Sequence, residues 1–82
     1  MASACVIVPA LNEAATIGRV VAELRASLAL PVIVVDDGST DDTARIALGH
    51  GAVLLRHERN RGKGAAILAG LREAQTLSLI HI

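Results

Sequence analysis

The chain has 82 residues and a mass of 8.5 kDa, which limits it to one small domain burying only a modest fraction of its surface. Eight Lys and Arg balance eight Asp and Glu, so nothing supports a broadly nucleic-acid-binding or membrane-adsorbing surface. A single cysteine, Cys5, excludes an internal disulfide, and no apolar run is long enough to span a bilayer.

There is no Phe, Tyr or Trp, although 52% of residues are hydrophobic, so Val, Leu, Ile and Ala must build the core. The apolar run from Ala4 to Leu11 is short, is interrupted by Pro9, and continues into Asn12 and Glu13 rather than a signal cleavage site. A cytoplasmic protein, or a peripheral piece of something larger, is expected.

"CVIVP" (5–9) is a continuous apolar run closed by proline, as in a strand buried on both faces. "TIGRVVAELRASL" (16–28) places Ile17, Val20, Val21, Leu24 and Leu28 on one face of a helix, with Asn12 as its expected cap and Pro31 marking the break beyond it. "VIVVD" (32–36) is β-branched and unalternating, which predicts a central parallel strand. It runs straight into Asp36, Asp37, Asp41 and Asp42, four carboxylates in seven positions that need solvent, a cation or hydrogen-bond donors. Ser39 or Thr40 is expected to cap a short helix through Ala44, Ile46, Ala47 and Leu48, with Asp41 and Asp42 in its first turn. "AVLLR" (52–56) predicts a third strand, and "HERNRGKG" a basic loop. "AAILAGLREA" (65–74) then predicts a third helix with Ile67, Leu68 and Leu71 toward the core.

Strands alternating with helices predict an α/β fold, a three-layer sandwich in which a parallel sheet is covered by helices on both faces. Ligands of such sheets sit beyond the carboxyl ends of the strands. The three polar loops "PALNEA", "DDGSTDD" and "RHERNRGKG" all emerge there. The final "LSLIHI" falls where a fourth strand is expected, yet it is what CTG TCT CTT ATA CAC ATC encodes, the end of a common transposase-based sequencing adapter. Residues 77–82 are therefore expected to be a non-native tail.

Asp36 and Asp37, adjacent at a strand end, point to opposite sides of the sheet. Asp36 suits a local turn with Gly38, whereas Asp37 can accept the imino N–H of a pyrimidine or a ribose hydroxyl. Gly38 allows a positive φ or the close approach of a ligand. Asn12 and Glu13 can hydrogen-bond a nucleoside, brace the aspartate loop, or act only as cap and surface charge. Arg61 and Lys63, between glycines at the start of the third helix, suit a diphosphate. "RGKGAA" is not a Walker loop, since it lacks the earlier glycine and a hydroxyl after Lys63. His50 and His57 have no second histidine or cysteine at ligand spacing and read as ordinary loop residues. A dinucleotide enzyme would need glycines in "PALNEA", and a receiver-type module would carry its acidic pair after the first strand.

"VIVPALNEAATIGRVV", "VIVVDDGSTDDT" and "NRGKGAAILAGL" together closely resemble the amino-terminal part of the family 2 glycosyltransferases, most of all the branch acting on polyprenyl or dolichyl phosphate. The resemblance covers residues 4 to 74. It implies a GT-A fold, with 1–76 as part of a nucleotide-sugar-binding domain that uses a UDP- or GDP-sugar and Mg²⁺ or Mn²⁺. It also implies an acceptor such as polyprenyl phosphate, inverting chemistry in the complete protein, and no nucleic-acid partner. By the resemblance, Pro9, Asn12 and Glu13 occupy the first nucleotide-facing loop, Asp37 contacts base or ribose beside Gly38, and Lys63, with Arg61 competing, lies near base and diphosphate. The family's Asp-x-Asp metal motif follows the fourth strand, so no metal ligand and no catalytic residue is expected in this chain. An inactive fragment is implied, the alternative being a non-catalytic nucleotide-binding or receiver-like module.

Overall fold

The computed structural model describes residues 4–76 and 80–81. Its elements are β1 (Ala4–Ala10), α1 (Ile17–Leu28), β2 (Val32–Asp37), α2 (Thr43–Gly49), β3 (Val53–His57), α3 (Lys63–Thr76) and β4 (Ile80–His81). All strand pairs are parallel, in the order β3-β2-β1-β4. β2 is buried along its whole length, as its unbroken β-branched run requires.

Alternation along β2 divides the core. Val32 and Val34 face α1 and α2 with Ile17, Val21, Ala47 and Ala52, while Ile33 and Val35 face α3 with Cys5, Ala66 and Ala74. Three layers result, as the sequence predicts. Burial pushes the Cys5 thiol pKa up. β4 pairs Ile80 and His81 with Ala4 and Cys5. The expected non-native tail otherwise falls at 77–79 and 82, outside the described residues. Among the described residues no helix is long and apolar enough to cross a membrane.

Several local expectations are corrected. Asn12 does not cap α1: Thr16 holds that position without a side-chain cap, and Asn12 turns away at φ 52°. Neither Ser39 nor Thr40 caps α2, because Asp42 is the residue before its first turn and both hydroxyl residues are held by other partners. Asp41 and Asp42 accordingly precede α2 rather than forming its first turn.

The core side of α3 also differs. Ile67 and Leu68 are exposed, and the helix meets the sheet through Ala66, Gly70 and Ala74, four residues apart on one face. A methyl group added at Gly70 would lie 2.5 Å from Ile7 Cγ2, so helix and sheet approach too closely for a larger side chain. A core without aromatic rings is filled by this close approach of backbones. Leu28, expected on the apolar face of α1, is likewise exposed, as is Leu48 in α2.

Candidate functional site

The three polar loops meet at the carboxyl edge of the sheet, joined by hydrogen bonds between them. Asn12 N–H donates to Ser39 Oγ at 2.8 Å, and Asn12 Oδ1 accepts from Thr40 N–H at 2.9 Å. Glu13 N–H donates to Thr43 Oγ1 at 2.8 Å, and Ala14 N–H to Asp41 Oδ2 at 3.2 Å. Of the roles open to Asn12, bracing of the aspartate loop is the one the geometry displays.

Each of the four aspartates accepts at least one hydrogen bond from the chain itself. Asp36, fully buried, accepts Ser39 N–H at 3.0 Å through Oδ1, closing the expected local turn. Its Oδ2 lies 3.7 Å from Arg56 Nε and accepts no hydrogen bond among the described residues. Asp41 binds the Thr43 amide and hydroxyl, and the hydroxyl contact leads the effects that lower its pKa. Asp42 pairs with Arg45 at 2.9 Å on the surface.

Asp37 is the hinge of the arrangement. Oδ1 accepts Arg61 N–H at 2.9 Å and meets His57 Nδ1 at 2.8 Å; Oδ2 accepts Gly62 N–H at 2.8 Å. These bonds, the Arg61 amide foremost, then His57, hold its carboxyl below the usual carboxylate range. A carboxylate offers about four acceptor directions, so one on Oδ2 remains.

Asp37 lines a cavity of about 330 Å³ together with Pro9, Ala10, Leu11 and Glu13 of the first loop and Asn60, Gly62, Lys63 and Ala66 of the third. The volume is at the lower end for small-molecule sites. Of the residues expected here, Pro9, Glu13, Asp37 and Lys63 are brought together, whereas Asn12, Gly38 and Arg61 are not among those lining the cavity. Gly38 has φ 88°, and a Cβ there would meet the Asn60 amide nitrogen at 2.6 Å, so its close approach serves the third loop's backbone rather than a ligand. Arg61 contributes its amide to Asp37, while it lines a separate basic hollow with Arg56, His57, Glu58 and Arg59.

The sequence does not single out Ala10, Leu11, Asn60, Gly62 and Ala66 as lining residues, and it offers His57 only as an ordinary loop residue. The "NRGKG" loop carried a usable signal, since a glycine beside an anion-binding lysine marks backbone at the ligand. His57 carried none, because its partner lies 20 residues away.

Among the described residues no three His, Cys, Asp or Glu side chains are grouped to hold a metal ion.

The family model described as "Glycosyl transferase family 2" matches residues 5–80. The chain belongs to glycosyltransferase family 2. Its parallel sheet with helices on both faces is the GT-A, Rossmann-like fold of the solved relatives it matches. The dinucleotide-enzyme and receiver-like alternatives fall with that membership. Among curated relatives, a succinoglycan biosynthesis protein, ExoU, of Rhizobium meliloti is 47% identical over 68 residues, covering 76% of this chain and 20% of its own length. The glucosyl-3-phosphoglycerate synthase of Mycobacterium tuberculosis, solved with Mn²⁺, UDP-glucose and phosphoglyceric acid, is 34% identical with a TM-score of 0.75, covering 88% of this chain and 29% of that one. The same enzyme has also been solved with Mg²⁺ and UDP. The mannosyl-3-phosphoglycerate synthase of Rubrobacter xylanophilus is 28% identical with a TM-score of 0.77, over 88% and 27%. The chain spans 20–31% of the length of the curated relatives it first matches.

These structures overturn the expected placement in the polyprenyl- or dolichyl-phosphate branch, since they are glucosyl- and mannosyl-3-phosphoglycerate synthases. The reason is local. The three motifs behind that placement build one cavity and the bonds among its loops, and neither carries information about an acceptor.

Proposed function

We propose that this chain forms the donor-nucleotide half of a glycosyltransferase that takes its sugar from a UDP-sugar. The reading is carried by one observation: a single cavity joins the Asp37 carboxylate and Lys63, which begins α3, at the carboxyl edge of a parallel sheet. The remaining acceptor direction on Asp37 Oδ2 takes an imino N–H of the base or a ribose hydroxyl. The Lys63 ammonium and the unpaired first-turn amides of α3 attract the diphosphate. Pro9, Ala10 and Leu11 form the apolar floor against which a base packs. UDP, bound by the solved relatives, fits both demands.

In the complete protein the sugar passes from the nucleoside diphosphate to an acceptor recognised by residues other than those described. Mg²⁺ or Mn²⁺ accompanies UDP in those relatives, and such an ion would neutralise charge on the departing diphosphate in the complete protein.

Calorimetric titration of UDP into the chain tests the reading. Lys63→Ala is expected to weaken UDP about tenfold, the size of one lost charge-assisted contact, while His50→Ala leaves it unchanged. Equal effects of the two substitutions count against the diphosphate assignment.

A further inference from the structure

His57 ends β3 directly across from Asp37, because the parallel register pairs Asp36 with Arg56 and Asp37 with His57. The two side chains are 14% and 7% exposed and meet at 2.8 Å. An ionised carboxylate only accepts, so the imidazole proton in this contact sits on Nδ1. His57 and the Arg61 amide together saturate Oδ1, and the Gly62 amide takes one direction of Oδ2. His57 lines the basic hollow rather than the nucleotide cavity, so it acts on the cavity only through Asp37.

We propose that His57 is a positioning residue for nucleotide recognition: by donating from Nδ1 it locks the Asp37 carboxylate so that a single acceptor direction faces the cavity. This rests on the reading of that cavity as the nucleotide site. A lone fixed acceptor demands a donor from the ligand. It selects a base carrying an imino N–H at that point, such as uracil, over cytosine, whose equivalent ring nitrogen is itself an acceptor. Without His57 the carboxylate regains a free direction on Oδ1 and freedom to rotate, and both affinity and selectivity fall.

The test compares UDP and CDP affinities, by calorimetry, for the wild-type chain and for His57→Asn, His57→Gln and His57→Phe. Asn places an N–H where Nδ1 stands, Gln places one nearer Nε2, and Phe fills the volume without a donor. Asn is expected to retain binding within about twofold, while Gln and Phe weaken UDP about tenfold and narrow the preference for UDP over CDP. Nitrogen NMR of the imidazole is expected to show the Nδ1–H form in wild type. An Nε2–H form, a Phe variant that binds UDP as wild type does, or an Asn variant as weak as Gln overturns the proposal. A wild-type chain that ignores UDP sinks the nucleotide reading itself, an outcome distinct from wild type and Phe binding equally well.

Discussion

Asp37 does two things with one carboxylate. It anchors the third loop through the amides of Arg61 and Gly62, and it lines the cavity that we propose holds the nucleotide. An amide in its place would turn an N–H toward those donors or toward the ligand. Asp37→Asn is therefore expected to cost at least about tenfold in UDP affinity, even with a chelator present, because the loss does not pass through a metal. Unchanged affinity in a chelated calorimetric titration would remove Asp37 from the nucleotide site. Asn12 contrasts with it: a side chain that braces a neighbouring loop, seated at φ 52°, shapes the cavity without lining it.

At the scale of elements, α3 shows how a chain without aromatic residues closes its core. Its buried stripe of Ala66, Gly70 and Ala74 lets the helix settle onto Ile7, Ile33 and Val35. Two glycines of this helix should respond in opposite ways. Gly70→Ala drives a methyl into Ile7 and is expected to destabilise by about 1–3 kcal/mol. Gly64→Ala meets nothing within 4 Å and is expected to stabilise by up to about 1 kcal/mol through helix propensity. Urea denaturation of both variants checks the pair, and a loss at Gly70 that persists undiminished in an Ile7→Ala background would defeat the close-approach account.

Across the whole molecule, the loops are tied by carboxylates that accept most strongly when ionised. Asp37 joins the second loop to the third, and Asp41 joins it to the first. Both pKa values are lowered in the folded chain, by the Arg61 amide first for Asp37 and by the Thr43 hydroxyl first for Asp41. A lowered native value gives stability that is fully present above the unfolded pKa and is lost as pH falls through the folded one. The urea midpoint is expected to hold from pH 7 to about 5 and to drop below about 4, the range in which unfolded aspartate protonates. An Asp37→Asn/Asp41→Asn variant should start lower and lose less on acidification. Parallel curves for the two proteins would show that these bonds do not carry the acid sensitivity.

Element type and order were legible along the chain because strand and helix are written in local periodicity. The unbroken "VIVV" reads as a central strand without any partner in view, and the alternation of strands with helices leads to a parallel sheet whose site lies at one edge. Glu13, Asp37 and Lys63 could be placed in the loops at that edge from the order of elements, whereas Pro9 was named through the family resemblance. The faces of short helices were less legible: α3 carries both large and small apolar residues, and the leucines seemed the natural core until the sheet's distance chose alanine and glycine. The contacts of Asn12, Asp37, Gly38 and His57 had no local signature at all. Their partners lie 20 to 28 residues away and are selected by the register of parallel strands, which one chain's periodicity does not record. Tertiary structure alone brought the Arg61 and Gly62 amides to Asp37 and the Ala14 amide to Asp41, because only packing carries donors 24 to 27 residues distant to a carboxylate, whereas Asp36 and Asp42 meet partners three residues away.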